Sequence, residues 1–242
     1  MKILILGSGM MGPAAAFSAL ANPEVSQVIV CDASEAQLQA CIAELAGKPG
    51  AEKLGVVRLD LNSLQATVEL MASFDAIVAA LPASISHLAM RAALQVGTPL
   101  VDMAIPNAAE LATLSDAAKG AKSCVILGCG LEPGLTEILA RHLAEALDRV
   151  DELHIKCGGV PAEPGPPLGY KILFGGQQLP LRESDAPVVQ NGELTAVPRY
   201  SGVETISVPG VGVCEAWHEG FMPWLMELDV LKNIRLVAVS RI

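Results

Sequence analysis

Lys2-Ile3-Leu4-Ile5-Leu6-Gly7-Ser8-Gly9-Met10-Met11-Gly12 decides the fold. An apolar, strand-forming run stops at Gly7, the pattern GxGxxG follows, and Pro13 leads into a run of alanines. The glycine pattern alone is weak. Between a strand and a helix it has the context that gives it meaning. The first glycine permits a tight turn, the second lets backbone approach a pyrophosphate, and the third lets the helix pack on the strand. The free N–H groups and positive dipole end of the helix then face the phosphates. Asp32 lies 20 residues beyond Gly12, at the end of the next β-branched run, where a carboxylate accepts the ribose hydroxyls of an adenosine. A carboxylate there repels a 2′-phosphate, and Ala33 and Ser34 supply no arginine to offset it. The reading is therefore NAD, with NADP disfavoured. The alternative is a tight turn beside a solvent-facing Asp32.

Outward from this motif, short β-branched runs alternate with amphipathic stretches. The strand-like runs are 2–6, 27–31, 55–59, 75–80, 99–103 and 123–128, with helix-like segments near 10–21, 34–46, 63–72, 84–96 and 107–119. Such alternation predicts βαβ units on a parallel sheet, a doubly wound Rossmann domain. Ser34 with Gln37 has capping-box spacing, Asn62 and Ser84 stand before two further helices, and Gly97 stands where one ends. Past residues 128–133 the pattern changes. Pro133 is expected to open a helix through Asp148. The strand-like run 152–157 follows, then a loop crowded with glycine and proline, then strand-like pieces near 188–198, 203–208, 211–218 and 234–239. The expected domains are residues 1–130 and a smaller α+β region, residues 131–242.

Met10 and Met11 join Gly7, Gly9 and Gly12 as candidate cofactor-loop residues by position, although methionines there also serve packing. Asp60, after the third strand-like run, and Leu81-Pro82, at the end of the fourth, fall where the crevice of such a sheet opens. His87, in the following helix, either touches the cofactor or is a half-buried structural histidine. Asp102 ends the fifth strand on the ligand side, or caps a helix.

Composition narrows the classes. Of 242 residues, 52% are apolar, 17% charged and only 3% aromatic, which excludes disorder and assigns the core to Leu, Val, Ile and Ala. The net charge of −10, with no basic cluster, disfavours nucleic acid and anionic membrane surfaces. No run approaches the length of a membrane span. Six cysteines without a CxxC pair give no metal spacing and fit a reducing, cytoplasmic compartment. The high apolar share points to a covering subunit, a homodimer built mainly on residues 150–242.

Two segments of the second half carry a resemblance. Gly128-Cys129-Gly130-Leu131-Glu132-Pro133-Gly134-Leu135 is one; Cys157-Gly158-Gly159-Val160-Pro161, followed by Pro166-Pro167-Leu168-Gly169-Tyr170-Lys171, is the other. After this first half they resemble the saccharopine dehydrogenase family, which includes saccharopine reductases and lysine 6-dehydrogenases. Val188–Glu193 looks like that family's "IRNG" hairpin and Cys214–His218 like its "EAF" strand. The resemblance covers roughly residues 1–235. It implies oxidation of a C–N bond of an amino acid or opine, or the reverse reduction, with imine formation and hydrolysis. Glu132 matches the acid–base carboxylate of the family turn, where burial between Leu131 and Pro133 would raise its pKa. Its alternative is a carboxylate stabilised by a helix dipole. Lys171 is a second catalytic candidate and, with Arg182, an anchor for a substrate carboxylate, or else an ordinary surface lysine. Tyr170 and Cys157 join the substrate candidates, Cys157 matching a family cysteine or simply packing in its strand.

Two departures stand out. The Ser-Tyr pair of saccharopine reductases after the fifth strand is replaced by Asp102-Met103-Ala104-Ile105. The resemblance also implies a further segment after Asn233-Ile234-Arg235, where this sequence reads Leu236–Ile242. The expectation is a shortened member, either active or a nucleotide-binding chain with impaired catalysis. The turn at Gly130–Gly134 and the loop at 157–171 argue against other small Rossmann dehydrogenases.

Overall fold

Strand β1, Lys2–Leu6, alternates its side chains between two apolar layers. Ile3 and Ile5 pack with Ala16, Leu20, Val28, Val30 and Leu38, while Leu4 and Leu6 pack with Met71, Ile77, Ala79, Met90 and Leu100. Successive residues of a strand face opposite sides. Both faces of this sheet are thus covered, as a parallel sheet requires. The chain, described here from a computed structural model, is defined over residues 1–163, 165–166, 169 and 183–242. It divides into two units, Met1–Gly130 and Leu131–Ile242.

In the first unit, β1 is followed by α1 (Gly12–Leu20), β2 (Gln27–Asp32), α2 (Glu35–Leu45), β3 (Leu54–Arg58), α3 (Leu64–Met71) and β4 (Ala76–Ala79). Then come α4 (Ala83–Val96), β5 (Leu100–Asp102), α5 (Ala108–Ala118) and β6 (Val125–Ile126). The six strands are all parallel, in the order β3-β2-β1-β4-β5-β6. That order is the doubly wound Rossmann sheet, whose strand order reverses beside β1 and opens a crevice at the strands' carboxyl ends.

Several helix starts differ in detail from expectation. Ser34 caps α2, its hydroxyl accepting from the Gln37 N–H at 3.3 Å. Asn62 does not cap α3; Ser63 holds that position without a side-chain bond, and Asn62 instead bonds Asp60. Ser84 lies inside α4, which begins at Ala83 after Pro82. Asp102 caps no helix: it is fully buried, accepts from the Ala104 N–H at 2.8 Å and from the Ser86 hydroxyl, and α5 is capped by an Asn107–Glu110 box.

The second unit contains α6 (Leu135–Glu145), β7 (Glu152–Cys157), β8 (Ala186–Gln190), β9 (Glu193–Val197), β10 (Glu204–Val208), β11 (Gly212–His218) and β12 (Leu236–Arg241). The helix starts after Pro133 rather than at it, because Gly134 stands before it at φ 136°, outside helical geometry. The expected strand near 188–198 is two strands joined at Asn191-Gly192, both at positive φ, the geometry of a tight hairpin. Strand β12 is the spine. It pairs in parallel with β7 along its length, and antiparallel with β8 at its start and β11 at its end. Ala140 and Ala144 of α6 pack with Ile155, Phe221, Leu231, Val237 and Val239.

Candidate functional site

The carboxyl ends of β1, β2, β3 and β4 surround a cleft of about 320 Å³ in the first unit. Its walls include Gly7, Gly9, Asp32, Asp60, Leu81 and Pro82, six of the residues singled out from sequence.

The glycine turn is built for its place. Gly7 has φ 91°, and a Cβ there would lie 2.5 Å from the Ala80 carbonyl oxygen. A Cβ on Gly12 would lie 2.1 Å from the Gly7 carbonyl oxygen. A Cβ on Gly9 would meet nothing within 4 Å, so this glycine leaves open space beside the cleft. Helix α1 has no side-chain cap and no acidic residue in its first turn. Its positive end is therefore not countered locally, the arrangement that suits a phosphate.

Asp32 Oδ2 accepts from the Ser8 N–H at 2.8 Å and from the Ser8 hydroxyl at 2.9 Å, while Oδ1 accepts from the Ser34 N–H at 2.8 Å. Asp60 Oδ1 accepts from the backbone N–H and side-chain amide of Asn62 at 3.0 and 2.9 Å, closing a turn at the end of β3. Each carboxylate is thus held in place and keeps acceptor capacity for a further donor.

The remaining cofactor candidates lie elsewhere. Gly12 is buried at the start of α1, while Met10 and Met11 are exposed on the turn and are not among the cleft walls. Helix α4 presents Ile85 and Leu88 to the cleft, but His87 is not among its walls; His87 Nδ1 lies 3.5 Å from Glu110 Oε1 on α5. Sequence reasoning did not single out Ser8 as the partner of Asp32. It also missed Arg58, the register partner of Asp32 on β3, whose Nε donates to the Ala33 carbonyl at 3.0 Å. Ser8 was readable as the residue between the first two glycines. Arg58 was not, because its neighbourhood depends on how β2 and β3 pair.

In the second unit, Cys157 ends β7 and is partly buried. Burial pushes the Cys157 thiol pKa up; the negative charges of Glu132 and Glu137 add to this and Arg241 opposes it. Cys157 and Arg241 are register partners on β7 and β12. Glu137 Oε2 accepts from the Gly134 N–H at 2.6 Å and the Thr136 hydroxyl at 2.8 Å. Glu132 is half-buried, but Leu131 is 58% exposed, so the expected apolar cover from Leu131 is not in place. Tyr170, Lys171 and Arg182 lie outside the described residues. Among the described residues no group of three or more His, Cys, Asp or Glu gathers to hold a metal, and no helix is long and apolar enough to cross a membrane.

Comparison with known proteins agrees with this geometry. The family model for the saccharopine dehydrogenase NADP binding domain matches residues 3–127. Among solved structures, apo saccharopine dehydrogenase (L-Glu forming) from Saccharomyces cerevisiae superposes with a TM-score of 0.79 at 19% identity, covering 99% of this chain and 54% of the yeast enzyme. This chain thus spans about half the length of that relative. GenD2 from gentamicin A biosynthesis, solved in complex with NAD, is similar at a TM-score of 0.54 and 14% identity, covering 100% of this chain and 65% of its own.

Proposed function

Because the chain belongs to the saccharopine dehydrogenase family, matched through its NADP binding domain, we propose that it is an oxidoreductase that uses a nicotinamide dinucleotide to oxidise a C–N bond of an amino acid or opine, or to run the reverse reduction. The observation that carries this reading is the cleft at the strand ends, walled by Gly7, Gly9, Asp32, Asp60, Leu81 and Pro82. The residues fit such a cofactor: the space beside Gly9 is open, the end of α1 is uncapped, and Asp32 keeps one acceptor position for a ribose hydroxyl. Asp32 favours an unmodified ribose, which makes NAD the preferred cofactor over NADP. When bound, the nicotinamide supplies the hydride acceptor or donor.

The chain's own residues handle position and protons. Glu132 takes a proton from the substrate amine and, once protonated, returns it during hydrolysis of the imine. The Cys157 thiol, kept protonated by burial, is a weak donor available to the substrate. Lys171 and Arg182 hold substrate carboxylates, and Tyr170, which precedes Lys171 in sequence, joins them at the substrate. A cytoplasmic homodimer is part of the same proposal. It is supported by apolar residues left exposed within residues 150–242, where the interface is expected: Leu194, Val203, Val211 and Val213.

The test is absorbance at 340 nm with NAD and a panel of basic and dicarboxylic amino acids, saccharopine included. Turnover that falls on the order of 10²-fold in Glu132→Gln supports the assignment. Turnover unaffected by that change removes Glu132 from the mechanism. Dinucleotide binding without turnover on any substrate leaves the alternative, a nucleotide-binding chain with impaired catalysis. Light scattering that gives a monomer at micromolar concentration contradicts the homodimer.

A further inference from the structure

We infer that Arg58 sets cofactor selectivity, its guanidinium binding the 2′-phosphate of NADP(H) and opposing the preference that Asp32 imposes. The inference rests on the dinucleotide reading of the cleft.

Asp32 ends β2 and Arg58 ends β3, and the two are register partners on adjacent parallel strands. Paired residues on neighbouring strands project from the same face of a sheet. The guanidinium is anchored where it matters: Nε donates to the carbonyl of Ala33, itself a wall of the cleft next to Asp32. One of the five guanidinium N–H donors is thereby used. The two Nη groups make no hydrogen bond or ion pair among the described residues, and the side chain is exposed. A planar fork held at one corner is pre-organised for a phosphate. Ser34 adds a donor nearby: its oxygen accepts from the Gln37 N–H, so its hydroxyl hydrogen is free to donate.

The negative charge of Asp32 is already engaged. Ser8 fills both acceptor positions of Oδ2, and the Ser34 N–H takes one of Oδ1, leaving a single position for ribose. The carboxylate therefore repels a phosphate less than a bare one would, and the guanidinium supplies the opposite charge. The residues after β2 lack an arginine, but β3 provides one by pairing.

The experiment is a set of equilibrium titrations, by fluorescence for NADH and NADPH and by calorimetry for adenosine 2′,5′-bisphosphate and AMP. The parent chain, Arg58→Ala and Arg58→Lys are compared. The parent is expected to bind NADPH within tenfold of NADH. Arg58→Ala should weaken NADPH and adenosine 2′,5′-bisphosphate at least tenfold and leave NADH and AMP within twofold. Arg58→Lys should restore part of the loss. Equal losses for phosphorylated and unphosphorylated ligands would make Arg58 merely structural and overturn the inference. So would unchanged NADPH binding in Arg58→Ala, or a parent chain that binds NADH but not NADPH. A parent chain that binds neither dinucleotide fails the reading of the cleft itself, and the inference with it.

Discussion

Ser8 holds Asp32 through two hydrogen bonds to one carboxylate oxygen, from its N–H at 2.8 Å and its hydroxyl at 2.9 Å. The bonds tie the turn after β1 to the end of β2 and fix the acid relative to the glycines. Ser8 is 2% exposed, so its hydroxyl has no ready substitute in water. Ser8→Ala keeps the backbone bond and loses the other. The expected cost is about 1.5–3 kcal/mol of stability, as for one hydrogen bond to a charged group. Urea unfolding of the variant measures it. An unchanged midpoint and slope would mean that the hydroxyl bond contributes nothing.

Asp102 gives a pH dependence with a definite sign. Burial raises its pKa, and the bonds from Ser86 and Ala104 only partly offset that. The folded chain then holds the proton more tightly than the unfolded chain. Stability from this group is greatest at low pH and declines as pH rises from the ordinary aspartate value to the raised one. In Asp102→Asn that component of the slope should vanish, while the acceptor for the Ala104 N–H is kept. Unfolding free energies measured from pH 4 to 7 give the slope directly, and an identical slope in parent and variant would contradict the assignment.

The cysteines divide by burial. Cys31 and Cys41 are 2% and 1% exposed, whereas Cys124 and Cys129 are exposed. Burial and the neighbouring Asp32 push the Cys31 thiol up to about 12. The thiolate is the reactive form, so the folded chain protects Cys31. Brief iodoacetamide treatment at pH 8 followed by mass spectrometry should label Cys124 early and leave Cys31 and Cys41 intact until denaturant is added. The same shift means stability falls as pH climbs from 9.0 toward 12, because the unfolded chain ionises first. Labelling of Cys31 in the folded chain would show that its strand opens readily.

Legibility in the sequence follows how local each feature is. Strand β1 coincides with the apolar run Lys2–Leu6, because its pattern and the glycine that stops it are adjacent in sequence. Asp32 was legible from spacing, and Asp60, Leu81 and Pro82 from their position after strands. The sixth strand was expected over 123–128 and is only Val125–Ile126, because its length is set by β5, its one partner among the described residues, through two register pairs. His87 shows the limit of helical reading. Its spacing placed it on α4, but whether it faced the cleft or α5 depended on packing. Arg58 stands 26 residues from Asp32 in sequence and opposite it in the sheet, a proximity that only strand pairing creates. In the second unit resemblance singled out Glu132 and Cys157, while the start of α6 turned on the backbone of Gly134.

The cleft as a dinucleotide site is the central claim, and Gly9 isolates it. A methyl group on Gly12 would collide with the Gly7 carbonyl, so Gly12→Ala loses stability and binding together. A methyl group on Gly9 meets nothing within 4 Å in the chain itself, yet it occupies the space that a pyrophosphate needs. The most direct measurement is an NADH fluorescence titration of the parent chain and Gly9→Ala, with thermal unfolding of both. The account predicts saturable binding by the parent, at least tenfold weaker binding by Gly9→Ala, and melting temperatures that agree within about 2 °C. Equal NADH affinity in the two chains, or no saturable binding by the parent, would contradict it.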